Sequence, residues 1–132
     1  VPFVVIDYDH QRILALKKKG IHAVFGDPSD IDVLDYAQVD LAKCLVIAIP
    51  DRYSQESIIA NALTLNRTIP IICRTHHESD LRELKTLGVT TLVQPEFEAA
   101  LTIVGRLLHE FGNDEEQIRG KVSRLKIEHG LG

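Results

Sequence analysis

The sequence has no methionine and no tryptophan, and only two cysteines, three tyrosines and four phenylalanines among its 132 residues. It opens on Val1-Pro2 rather than an initiator residue, which predicts a processed product or a fragment. Two cysteines are too few for a disulfide scaffold. Cys44 and Cys73 each adjoin an apolar run and are expected as buried free thiols in a reducing compartment. Long hydrophobic runs are missing too: the best, Phe3–Ile6 and Leu45–Pro50, fall far short of the roughly 18 residues of a membrane span. No secretory leader pattern occurs. There is no basic excess either. A net charge of −4 argues against a phosphate-neutralising nucleic-acid surface, and the sole basic run, Lys17-Lys18-Lys19, reads as cations at a helix C-terminus.

What is present is ordinary globular material, 45% hydrophobic and 26% charged, enough for one domain with a sizeable core. Short apolar runs alternate with stretches of helical period. Strands are expected at Phe3–Ile6, His22–Phe25, Leu45–Ile49, Ile69–Cys73 and Thr91–Val93, rich in Val and Ile and without polar alternation, as in strands buried on both faces. Helices are expected at His10–Lys19 with Asp9 as N-cap, at 30–37, at 52–66, and from a Ser79 cap through Leu81, Leu84 and Leu87 to Gly88. Such alternation with short links is the pattern of an α/β fold with a parallel sheet.

The fifth helix carries Phe97, Ala100, Leu101, Val104, Leu108 and Phe111 along one stripe, and Ile103 and Leu107 widen it. That width points either to a second packing partner, such as another subunit, or to deep burial. After Gly112, Asn113 with Glu116 resembles a capping box opening a charged final helix or linker. The chain thus divides into a domain over 1–112, with the apolar helix at 96–111, and a segment over 113–132.

Ligands of open parallel sheets bind beyond the strands' carboxyl ends. Those ends read Asp7-Tyr8-Asp9, Gly26-Asp27-Pro28-Ser29-Asp30, Ala48-Ile49-Pro50-Asp51, Arg74-Thr75-His76-His77 and Gln94-Pro95. Carboxylates there can accept hydrogen bonds from ribose hydroxyls or an adenine amine, and Arg74 can offer a donor fork to a phosphate. Asp9 and Asp30 are as readily explained as helix caps. Asp7 is less so, because Asp9 already fills that role. His76-His77 is not read as a metal site: adjacent histidines on an extended segment point apart, and no further ligand lies at metal spacing. No nucleophile stands in a recognisable arrangement with a base, so no enzyme is expected.

Two families share this layout. Receiver domains of response regulators are similar in their βα units, in the acidic end of the first strand and in Val93-Gln94-Pro95-Glu96-Phe97. Their chemistry needs an aspartate ending the third strand and a lysine ending the fifth, where this chain has Ile49-Pro50, with Asp51 one place late, and Gln94. The closer resemblance is to the RCK/KTN (TrkA-N) cytosolic domains that regulate potassium channels and transporters. It is carried by Val4-Val5-Ile6-Asp7-Tyr8-Asp9, Gly26-Asp27-Pro28-Ser29-Asp30, Ala42-Lys43-Cys44-Leu45-Val46-Ile47-Ala48-Ile49-Pro50, Ile71-Ile72-Cys73-Arg74-Thr75, Gly88-Val89 and Pro95-Glu96-Phe97-Glu98. Phe111-Gly112 and the charged stretch beyond look like Kef-type cation–proton antiporters, and Ile49-Pro50-Asp51-Arg52-Tyr53 resembles a bacterial branch of such transporters.

The resemblance implies a Rossmann-like doubly wound parallel sheet binding an adenine nucleotide, NAD(H) or AMP. Asp7 would hold a ribose, with Tyr8 beside it; Gly26, Asp27 and Pro28 would lie along the adenine; Ala48, Ile49 and Pro50 would line the cleft; and Arg74 would meet a phosphate or carboxylate. It further implies a homodimer through the 96–111 helix, a membrane transporter domain as partner and a place at the cytoplasmic face of the membrane. A fragment of an NAD-dependent oxidoreductase is a further alternative. One departure is large. The family's opening strand and Gly-x-Gly-x-x-Gly turn, a unit of roughly 25–30 residues, do not occur here. In the family's order that strand lies between this chain's first and third strands, so a gap with unpaired edges is expected there.

Overall fold

The computed structural model describes residues 1–131. Five short strands alternate with helices: β1 (Val5–Asp7), α1 (His10–Lys18), β2 (Ala23–Phe25), α2 (Ile31–Tyr36), β3 (Leu45–Ile47), α3 (Arg52–Leu65), β4 (Ile71–Arg74), α4 (Leu81–Leu87), β5 (Thr91–Val93), α5 (Pro95–Glu110) and α6 (Glu115–His129). Every strand pairing is parallel, so the α/β reading holds. The strands form two sheets, β1-β2 and β3-β4-β5, which leaves β1 and β3 unpaired with each other, as the expected gap requires.

The strands start later or end sooner than the apolar runs do. Phe3 and Val4 are exposed, because pairing starts only where the Val5 N–H donates to His22 O. Ile49 leaves β3 because its carbonyl is taken by a side chain of α3. Two expected caps are corrected. Ser79 caps nothing: it sits in a 3-10 turn, Glu78–Asp80, and Asp80, at the cap position, directs its carboxylate to Arg52. The capping box lies one residue beyond Asn113/Glu116, at Asp114 and Gln117, while Asn113 donates its amide to Leu108 O at the end of α5. Asp9 and Asp30 do cap α1 and α2, and Lys17 and Lys18 occupy the last turn of α1. Cys73 is buried as expected; Cys44 is exposed, at the entry to β3 rather than within it.

The main core gathers Leu34, Val39, Ile47, Ile58, Ile59, Ala62, Ile71, Leu84 and Leu92 from α2 through β5. Ile13, Ala23 and Val24 are buried outside that cluster, and Ile6 is the residue of β1 that packs against it. The final helix folds back on α5. Lys126 pairs with Glu98 at 3.5 Å, the His129 ring stacks on Phe97 with centroids 3.9 Å apart, and Leu131 packs against the main core. The wide apolar surface of α5 therefore meets α6 in part, yet Ile103, Leu107 and Phe111 stay 68%, 52% and 75% exposed.

Candidate functional site

The carboxyl ends of β1 to β4 place the expected residues in two groups. In the first, the Asp7 carboxylate is held from two sides. The Asp9 N–H donates to it at 2.9 Å, and Arg12, one turn into α1, donates from Nε at 2.8 Å and from a terminal nitrogen at 3.3 Å. Burial pushes the Asp7 carboxyl up, but the Asp9 and Arg12 hydrogen bonds outweigh it and hold the group below its ordinary value. Tyr8 projects into solvent. Gly26 follows β2 directly and donates its N–H to Asp7 O at 3.0 Å, joining the two strand ends. A Cβ at Gly26 would stand 2.9 Å from Val33 Cγ2, so the close approach of α2 requires glycine here. Asp27 turns back on its own loop, accepting from Ser29 N–H at 2.9 Å and from its hydroxyl at 2.7 Å. Those two bonds lower its pKa. Pro28 is buried beside it.

In the second group, Ala48 and Pro50 are exposed and Ile49 leans on the core. Arg74, the last residue of β4, is half-buried. Its Nε and one terminal nitrogen reach the His76 Nε2 at 3.2 and 3.0 Å, and the His76 Nδ1 lies 2.7 Å from Glu96 at the start of α5. Asn61 of α3 donates to Ser29 O at 2.8 Å, holding the loop after β2 against α3.

Three positioning residues escaped the sequence reading. Gln55, 2% exposed, donates its amide to both Ile49 O (2.7 Å) and Arg74 O (2.8 Å), tying the ends of β3 and β4 together. Its signal was available, for it lies on the buried stripe with Ile58, Ile59 and Ala62. Arg52 reaches Glu83 at 3.0 Å, Glu56 at 3.2 Å and Asp80 at 3.8 Å, pinning the start of α3 to α4. Asn66 donates to Val39 O and Ala42 O, both at 3.1 Å. Asp51, the nearest approach to a phosphate-accepting aspartate, is the N-cap of α3 and accepts from Ser54 N–H and hydroxyl.

A groove of about 780 Å³ lies elsewhere. It runs along β2 between the end of α1 and α2, lined by Lys17, His22, Phe25, Asp32 and Tyr36, and includes neither Asp7, Asp27 nor Arg74. The strand-end residues instead stand in two groups at the carboxyl ends of parallel strands, where ligands of open parallel sheets bind.

Known proteins resemble the chain in sequence and in fold. A glutathione-regulated potassium-efflux system protein of Haemophilus influenzae is 32% identical over 127 residues, 94% of this chain and 21% of that protein. The chain spans about a fifth of the length of the curated relatives it matches. The crystal structure of the TrkA-N domain of the Escherichia coli inner membrane protein YbaL superposes with a TM-score of 0.75 at 31% identity, covering 81% of this chain and 79% of that one. The Shewanella denitrificans Kef C-terminal domain in its AMP-bound form shares the fold at 19% identity, with a TM-score of 0.70 over 96% of this chain and 91% of that one. The TrkA-N domain model itself matches residues 1–95, and the chain belongs to that family.

Proposed function

We propose that this chain is a nucleotide-sensing regulatory domain of a potassium or other monovalent-cation antiporter, acting at the cytoplasmic face of the membrane. The observation that carries the reading is the strand-end rim. Asp7 and the Gly26-Asp27-Pro28 turn offer acceptors and a close-packed backbone to an adenosine, and Arg74 offers a cation to its phosphate. The potassium-efflux relatives and the AMP-bound Kef domain support that reading. The ligand is an adenine nucleotide, NAD(H) or AMP. Asp7 would take the ribose diol in place of Arg12, and Ala48 to Pro50 would border the cleft.

No reaction is required. A ligand that binds one dimer arrangement better than another shifts the population between them, and a membrane domain joined to that dimer reads the shift. The exposed face of α5, with Ile103, Leu107 and Phe111, would supply the homodimer contact. No helix among the described residues is long and apolar enough to cross a membrane, and in this reading transport is the work of a membrane domain that the regulatory domain controls.

Thermal unfolding in the presence of AMP, ATP, NAD⁺ and NADH tests the proposal. At least one nucleotide should raise the midpoint, and Asp7→Ala should remove most of that shift. No shift with any of the four would refute it.

A further inference from the structure

Arg74, His76 and Glu96 form a hydrogen-bonded chain from the end of β4 to the start of α5, and the proposed function leaves His76 without a role. Arginine carries only donors. With two guanidinium nitrogens directed at its Nε2, the ring must present a lone pair there, so its proton sits on Nδ1 and is donated to Glu96. That is a neutral imidazole engaging the edge of the guanidinium best suited to a phosphate.

Protonation would put a hydrogen on Nε2 and set two cations face to face. The Arg74 bonds are lost, while the Glu96 bond survives and becomes charge-assisted. Of the ionisable groups at this corner, Glu96 of α5 favours the imidazolium and Arg74 of β4 opposes it. Glu78 of the 3-10 turn faces His129 of α6 at 3.7 Å, and Lys126 of α6 pairs with Glu98; His77 follows in the chain, its backbone bound to Thr75. An incoming anionic phosphate would relieve the opposition by taking Arg74 itself.

We propose that His76 is a positioning residue that withholds Arg74 from an anionic ligand when neutral and releases it when protonated, so that nucleotide binding strengthens on acidification. This rests on Arg74 meeting the phosphate, as argued above.

Calorimetric titration of the full chain with NAD⁺, whose pyrophosphate keeps its charge over the range, between about pH 8 and about pH 5.5 tests it. Affinity should rise about threefold to tenfold as pH falls, with net proton uptake on binding. His76→Gln, whose amide oxygen can hold Arg74 without titrating, should give weak, pH-independent binding. His76→Ala should give pH-independent binding close to the acidic wild-type value. A flat wild-type profile, or a slope that persists in His76→Gln, overturns the proposal alone. If neither NAD⁺ nor AMP, ATP or NADH binds at any pH, the nucleotide reading is overturned and this proposal with it. Nitrogen-edited NMR provides a ligand-free check: the neutral ring of His76 should carry its proton on Nδ1, and a proton on Nε2 would overturn the assignment.

Discussion

At the scale of single residues, the strand ends depend on one buried amide, that of Gln55. Gln55 satisfies two strand-end carbonyls at once, and replacing it by leucine leaves both unpaired at nearly the same volume. Gln55→Leu is expected to cost about 1–3 kcal/mol, read from urea unfolding, and to loosen the Ile49-Pro50 turn. Acid sensitivity has its origin in the same rim. Asp7, Asp27 and Asp51 all have pKa values below the ordinary 3.8, held there by hydrogen bonds from Asp9 and Arg12, from Ser29 and from Ser54. Groups with depressed folded values stabilise the fold fully above the unfolded value and lose that contribution as pH falls through the folded one. Unfolding midpoints should therefore be flat above about pH 5 and fall below about pH 4, and Asp7→Asn should flatten part of that fall. The acidic and glycine residues of the rim could be read in advance from their position after apolar runs. Gln55 and Arg52 were not, because apolar periodicity passes over a polar residue on the same helix face.

At the scale of elements, type and order were legible and ends were not. Apolar runs marked each strand, but where pairing stops depends on which carbonyl a distant side chain takes, as Gln55 does at Ile49. The Ser79 cap failed for a related reason, since Arg52 draws Asp80 out of the local pattern. Two glycines give opposite predictions. Gly105 sits mid-helix in α5, where a Cβ would make an ordinary 3.5 Å contact with Ile118 of α6. Gly105→Ala should stabilise by about 0.5–1 kcal/mol. Gly26→Ala drives a Cβ into Val33 instead and should destabilise by about 1–3 kcal/mol. Thermal unfolding of the pair checks both, and equal effects would contradict the packing.

At the scale of the whole molecule, α5 has one side on α6 and another in water. Ile103, Leu107 and Phe111 recur at four-residue spacing on the exposed side. If that face joins two copies, Leu107→Glu should convert a dimer to a monomer in sedimentation analysis while leaving the circular dichroism unchanged. A wild-type monomer at high concentration would count against the contact. The fold-back of α6 was not legible, because its charged sequence reads as solvated; the packing comes from Phe97 against His129 and from Leu131 on the core.

The break between β1 and β3 has a dynamic consequence. The β1-β2 sheet makes no ladder with β3-β4-β5, and Ile6 and the loop after β2, held by the Asn61–Ser29 bond, pack it against the main core. That sheet and α1 constitute a small unit able to open locally without unfolding the rest. Amide hydrogens of Ile6 and Val24 should exchange faster than those of Ile72 and Cys73. Because Asp7 belongs to the smaller unit and Arg74 to the larger, a bound nucleotide would act as a rivet across the break. Its clearest signature would then be slowed exchange in β1 and β2, and a fold loose at its own site would become rigid only when occupied.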